Sequence, residues 1–177
     1  METPDDFKEL LELFNAHGVE YVVVGGFARA HHGSPRVTGD IDLFVRPNSE
    51  NAIRILDALR DFGFGSLDLA PGDLEAPGRI VQLGYPPVRV DLLTSIAGVS
   101  WDSAWANKAE GAVAGVPTPF IGREDFIRSK LAAGRTQDLA DVEAIGGELP
   151  TRQADRKKSQ SGRPSKQSRK GSKRRSP

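Results

Sequence analysis

Thr38-Gly39-Asp40-Ile41-Asp42-Leu43-Phe44-Val45 is the stretch on which the fold turns. In an extended chain successive side chains point to opposite faces, so Asp40 and Asp42 share one face while Ile41 and Leu43 share the other, toward a core. Like charges that close raise one another's pKa, and a folded chain tolerates them best where a cation or solvent intervenes. Magnesium meets that need, since it takes hard oxygen ligands, commonly one or two carboxylates, and completes its shell with water and substrate phosphates. A solvated strand end accounts for the same three residues, and Asp-x-Asp alone does not choose between the two.

The next observation lies about 50 residues downstream, in Val88-Arg89-Val90-Asp91-Leu92-Leu93. Val88, Val90 and Leu92 share one face, Arg89 and Asp91 the other. Placed beside Ile41 to Val45, this strand adds Asp91 to the pair. Three carboxylates can hold two metal ions about 3.5–4 Å apart, one activating an attacking oxygen and one stabilising a leaving pyrophosphate. Arg79 to Leu83 is a further strand, joined to this one by Gly84-Tyr85-Pro86-Pro87, which makes a hairpin.

Upstream, Tyr21-Val22-Val23-Val24 reads as a buried strand that ends at Gly25-Gly26. A glycine pair between a strand and a short helix exposes backbone N–H groups to a phosphate, or is merely a turn. Arg29, His31, His32, Arg36 and Thr38 follow before Asp40. Arg36 suits a phosphate or simply covers surface. His31 and His32, adjacent on a helix, face different directions and are read as structural.

The remaining pattern interleaves helices with strands. Phe7, Leu10, Leu11, Leu13 and Phe14 recur at helical spacing and stop at His17-Gly18. Phe27 to His32 is a short helix, and Ser49 to Phe62 a longer one, with Ser49 as N-cap and Ile53, Leu56 and Leu59 turned inward. Trp101 to Lys108 is helical, Gly111 to Phe120 forms two short extended pieces, and Gly134-Arg135 splits helices over Arg123 to Ala133 and Thr136 to Ile145. The class is α/β (α+β), and the hairpin makes the sheet mixed rather than wholly parallel.

Formal charge is zero, with 24 Lys/Arg against 24 Asp/Glu among 177 residues, but the balance is uneven. Residues 151–177 hold 11 Lys/Arg and one acid, Asp155, leaving 13 bases and 23 acids in residues 1–150. The chain divides accordingly into an acidic domain, 1–150, and a basic Ser/Lys/Arg-rich tail, 151–177, whose composition predicts disorder. With no Cys, a disulfide scaffold, a thiol nucleophile and a zinc ribbon are excluded. No apolar run approaches the roughly 20 residues of a membrane helix, and Met1 to Asp6 does not resemble a secretion signal, so the expectation is a soluble cytoplasmic protein without membrane contact.

Val22-Val23-Val24-Gly25-Gly26, then Gly33-Ser34-Pro35-Arg36-Val37-Thr38, then Asp40-Ile41-Asp42 resembles the nucleotidyltransferase superfamily that includes polymerase β, and within it the small bacterial AbiEii-like subgroup. The likeness covers about residues 5–146. It implies a mixed, mostly antiparallel small sheet flanked by helices, with C-terminal helices over the site. Where most of the superfamily carries a phosphate-touching Ser near the second glycine, this chain has Gly26 then Phe27. The resemblance makes Asp40, Asp42 and Asp91 metal ligands for Mg²⁺ or Mn²⁺ and assigns nucleotide contacts to Gly25, Gly26, Arg36, Thr38 and Lys130. Lys130, Arg135, Asp138 and Asp141 match the subgroup's Lys…Arg-x-x-Asp-x-x-Asp signature, which puts Lys130 and Asp138 near the nucleotide. Physically, Thr136 can cap the last helix, and acids in its first turn favour the helix dipole without any function.

The implied activity is transfer of a nucleoside monophosphate from an NTP to a hydroxyl of a protein, a tRNA or a small molecule, with a role in a toxin–antitoxin pair and a cognate partner. A non-catalytic nucleotide- or nucleic-acid-binding module of the same fold is the alternative, and three retained carboxylates argue against it. The basic tail offers nucleic acid a phosphate-neutralising segment. A DxD glycosyltransferase is disfavoured because 150 residues is short for one.

Overall fold

The computed structural model describes residues 5–35, 38–65, 68–85 and 88–149. The tail expectation and Arg36 lie outside these residues, as does the Pro86-Pro87 turn. Six strands form one sheet. Helix α1 (Asp5–Ala16) leads into β1 (Tyr21–Val24), and α2 (Gly25–His31) begins where β1 ends. β2 (Asp40–Val45) is followed by α3 (Ser49–Leu59), whose last turn widens over Arg60–Phe64. A four-residue helix, α4 (Gly72–Glu75), precedes the hairpin of β3 (Ile80–Tyr85) and β4 (Val88–Leu93). Then come α5 (Trp101–Ala106), a second hairpin of β5 (Ala109–Val113) and β6 (Val116–Phe120), and helices α6 (Arg123–Ala133) and α7 (Thr136–Ala144).

The strand order is β3-β4-β2-β1-β6-β5. Pairs β1–β2, β3–β4 and β5–β6 are antiparallel, whereas β2–β4 and β1–β6 are parallel. The expected mixed, mostly antiparallel sheet is the one observed. Residues Ile41 and Leu43, alternating with the acids, are buried together with Tyr21, Val23, Val90 and Leu92, and with Phe7, Leu10, Leu11 and Phe14 of α1. Each such side chain withdrawn from water contributes about 1.5–3 kcal/mol, which makes this the stabilising body of the fold. The other face carries the acids. Lower on it, Phe44 receives Trp101 of α5 edge-on, with ring centroids 5.2 Å apart.

Three local expectations are corrected. The N-cap of α3 is Asn48, whose side chain accepts from the Asn51 N–H at 2.8 Å, and Ser49 is the first helical residue. Asn51, Ala52, Ile55, Ala58 and Leu59 form its buried face, while Ile53 is 53% exposed. Asn51 takes the inward position because its amide accepts from the Glu20 N–H at 2.8 Å and donates to the Glu20 carbonyl at 2.9 Å and the Arg46 carbonyl at 3.1 Å, closing the far end of the β1–β2 pair. At α7 the N-cap is Arg135, with no side-chain cap, so Thr136 does not cap. The histidines are structural. His31 stacks on Phe120 at 4.2 Å, and the His32 ring nitrogen lies 2.8 Å from the Ile121 carbonyl oxygen. Among the described residues no helix is long and apolar enough to cross a membrane.

Candidate active site

Strand pairing assembles the acids. Asp42 lies opposite Val24 on one side and Asp91 on the other, and Asp91 lies opposite Gln82, so one row crosses four strands on a single face. Asp40 stands one step along, opposite Arg89. Parallel pairing of β2 with β4 is what brings Asp91 to the pair, because a one-residue slip would turn it into the core.

The glycine turn is built around Asp42. Gly25 has φ +60, and a Cβ there would stand 1.9 Å from Asp42 Oδ2. Only glycine combines that left-handed backbone with the close carboxylate. At Gly26 a Cβ would meet the Thr38 side chain at 3.0 Å. The Thr38 hydroxyl in turn donates to the Asp40 carbonyl at 3.2 Å, so this residue braces the backbone of the first acid.

Cations are already distributed among these carboxylates. Arg89 Nη2 lies 2.7 Å from Asp40 Oδ2, and its Nε and Nη2 each lie 3.1 Å from an oxygen of Asp91. Asp42 makes no hydrogen bond or ion pair with the described residues. Burial, then the neighbouring Asp91 and Asp40, push its pKa up to about 6. These are hard oxygen donors with an uncompensated charge, a set suited to a divalent ion. As they stand, no three acids or histidines among the described residues form a ready metal cluster. The guanidinium of Arg89 lies between two of them.

The C-terminal helices complete the pocket. Gly134, with φ +66, ends α6 just after Lys130 and folds α7 back against it. Lys130 Nζ then reaches Asp138 Oδ1 at 2.9 Å and Asp141 Oδ2 at 3.0 Å. Asp138 also accepts from Arg135 Nε at 2.6 Å. Burial alone would raise the Asp138 pKa, but hydrogen bonds from Arg135 and Lys130 and their charges hold it below the ordinary value. Asp141 is 3% exposed and is backed by Arg29 Nε at 3.4 Å, so it is a buried partner of Lys130 rather than a surface acid serving the dipole. Arg29 also donates to Ser34 Oγ at 3.0 Å, tying the loop before β2 to this cluster. A cavity of about 290 Å³ separates the two groups, with Gly25 and Asp42 on one wall and Lys130, Arg135 and Asp138 on the other. Leu93, Ile96, Ala97 and Ala133 supply apolar lining.

Of the residues singled out from sequence, Asp42, Gly25, Lys130 and Asp138 meet at this cavity, and Asp40, Asp91 and Thr38 join through Arg89, strand register and the Asp40 backbone. Sequence patterning alone does not mark Arg29 and Arg89 as parts of the site. Arg89 carried one signal, its place on the Asp91 face.

A mixed sheet with adjacent acid-bearing strands and a glycine turn against one acid is the arrangement that the nucleotidyltransferase resemblance implies. The chain belongs to the family described as nucleotidyl transferase of unknown function (DUF2204), whose model matches residues 3–161. No curated protein matches it by sequence. Solved structures share the fold. The antibiotic-resistance factor ANT(2'')-Ia superposes with TM-score 0.52 at 13% identity over 80% of each chain. A candidate nucleotidyltransferase from Thermotoga maritima gives 0.51 at 17% identity, over 77% of this chain and 88% of that one. An antigenic nucleotidyltransferase-like protein from Paracoccidioides brasiliensis gives 0.50 at 19%, over 81% and 75%.

Proposed function

We propose that the protein moves a nucleoside monophosphate from an NTP to a hydroxyl acceptor and releases pyrophosphate. The observation that carries this reading is the Val24–Asp42–Asp91 row with Gly25 packed against Asp42, both of them lining the cavity. Asp40, Asp42 and Asp91 would hold Mg²⁺ or Mn²⁺. Two such ions, when bound, supply Lewis-acid activation of the attacking hydroxyl and stabilise the leaving pyrophosphate. Lys130 offers a cation to the triphosphate, and Asp138 with Asp141 aims it from behind. The resemblance gives phosphate contacts to the backbone N–H groups of Gly25 and Gly26 and further nucleotide contacts to Arg36 and Thr38. The apolar lining at Leu93, Ile96 and Ala133 accepts the base.

The acceptor is a protein side chain, a tRNA end or a small molecule, and the AbiEii-like resemblance supports a toxin or antitoxin role with a cognate partner. Residues 1–150 form the catalytic unit, and the basic 151–177 segment contacts nucleic acid in the cytoplasm. Incubation with each labelled NTP, Mg²⁺ and a cell extract tests the activity by showing which macromolecule or metabolite gains label. Nucleotide binding without transfer from any NTP would make the protein a binding module that keeps the fold. Cutting after Pro150 tests the boundary. The truncated protein should melt with the parent and lose any nucleic-acid affinity that falls with salt, because the removed residues have almost no apolar side chains to pack. A melting point several degrees lower would place the boundary further on.

A further inference from the structure

Arg89 is shared between two of the three acids. Its Nη2 donates to Asp40 Oδ2 at 2.7 Å and to Asp91 Oδ2 at 3.1 Å, while its Nε lies 3.1 Å from Asp91 Oδ1, buried and without a hydrogen bond among the described residues. The side chain is about one-third exposed, so it can leave without unfolding the strand. Magnesium would need the same oxygens at about 2.0–2.1 Å. A dication and a guanidinium cannot share them, because the two cations would repel at contact distance. The geometry points to Arg89 as a resident counter-cation that occupies the Asp40–Asp91 seat in the metal-free protein and yields it when a metal–nucleotide complex arrives.

This rests on the metal-ligand reading of Asp40, Asp42 and Asp91 given above. Its consequence is coupling. A metal ion alone must displace a guanidinium paired with two carboxylates and leaves it facing a dication. A metal ion arriving with a triphosphate brings anionic oxygens that can receive the displaced guanidinium in the bidentate manner it favours. Arg89 therefore makes metal binding depend on nucleotide. It also discourages the carboxylates from loading with metal when no substrate is present. The opposing role, in which Arg89 preorganises Asp91 for the metal, predicts weaker metal binding once the arginine is lost.

The test is Mn²⁺ affinity, read by electron paramagnetic resonance of free Mn²⁺, for the full chain with and without a nonhydrolysable NTP analogue. Arg89→Gln should bind Mn²⁺ alone about tenfold more tightly than the parent, as expected when one ion pair no longer has to be broken. The ratio of affinities with and without nucleotide should shrink by a similar factor, since coupling is a single free energy shared by both ligands. Arg89→Lys, which keeps a cation without the guanidinium, should fall between. Circular dichroism confirms that each variant is folded. Unchanged or weaker Mn²⁺ binding in folded Arg89→Gln overturns the proposal, provided Asp42→Asn abolishes the site in the parent. If Asp42→Asn leaves Mn²⁺ binding intact, the metal-ligand reading itself fails.

Discussion

At the Tyr21–Val45 end of the β1–β2 pair, Asn51 is fully buried and all its amide bonds are met, while alongside Arg46 Nη1 bridges both oxygens of Glu20 at 2.9 and 3.1 Å. At the Val24–Asp42 end of the same two strands, three acids crowd one face, a single guanidinium serves two of them, and Asp42 has no partner among the described residues. The sequence spends polar groups at both ends. One end matches every donor to an acceptor and gains rigidity and register. The other leaves a charge unmet, which is costly without a cation, and so creates affinity for one. Stability and chemistry are separated by the length of four residues of β1.

The comparison breaks most sharply at Asp42. Asp42→Asn keeps size and polarity but removes the charge, so transfer should fall by at least about 10³-fold in single-turnover assays, comparable with loss of a central electrostatic stabiliser. Metal-free stability at neutral pH should rise at the same time, because burial and repulsion from Asp91 and Asp40 are relieved. A variant as fast as the parent would end the metal-ligand reading. Lys130→Met comes next. Loss of its cation should slow transfer about 10²–10³-fold. It should also cost about 1–3 kcal/mol in chemical denaturation, since Asp138 and Asp141, 1% and 3% exposed, lose a charged partner and keep only Arg135 in the first case and Arg29 with Gln137 in the second. Parent-like rates in Lys130→Met would confine the active site to the sheet.

At the opposite end the two effects should part company. Asn51→Ala removes one acceptor and two donor bonds from a fully buried position, leaving the Glu20 N–H and two carbonyls short. The expected loss is about 2–4 kcal/mol of unfolding free energy. Transfer per folded molecule should be unchanged, which a rate normalised to the folded fraction would show. A rate loss here would mean that the two ends are mechanically linked.

Much of this was legible in the sequence, for reasons that are local. The alternation Asp40-Ile41-Asp42-Leu43 sets its own faces, and Val88-Arg89-Val90-Asp91 does the same, so one assumption of adjacency placed all three acids. What escaped depends on contacts between distant segments. Asp141 has the look of a helix-dipole acid until α6 and α7 fold together and bring Lys130 and Arg29 to it. Hydrophobicity alone turns Ile53 inward, yet Asn51 wins the inward face by bonding to Glu20 and Arg46. Gly25 suggested phosphate, and its need for glycine arises from the Asp42 carboxylate pressed against it. The four residues of α4 carry too short a pattern to show, although Leu74 within them is fully buried.

The smallest expected effect is also the most diagnostic of the unmet charge. Asp42 titrates near pH 6 in the folded protein and near its ordinary value of 3.8 when unfolded. The folded state thus holds this proton more tightly, and the stability it contributes is fully present below about pH 3.8 and is lost as pH rises through about 6. Metal-free protein should therefore become more stable on acidification from pH 7 toward pH 4.5. A shift of this size sets a ceiling of about 3 kcal/mol, and partial solvent access reduces the expected gain to about 1–2 kcal/mol. Asp138 works in the opposite sense. Its folded pKa is held below the ordinary value, so its contribution is present above about pH 4 and fades only below it. Between pH 4.5 and 7 Asp138 does not contribute, but His31, held below its ordinary 6.5 by burial and then by neighbouring His32, loses stability on acidification, so the difference in urea unfolding between parent and Asp42→Asn is what isolates Asp42. The gain should vanish in Asp42→Asn and in parent protein saturated with Mg²⁺ and a nonhydrolysable NTP, where a cation offsets the charge. A parent whose stability runs parallel to that of Asp42→Asn over this window would show that Asp42 is already compensated, and the contrast between the two ends of β1 would then be one of packing and not of charge.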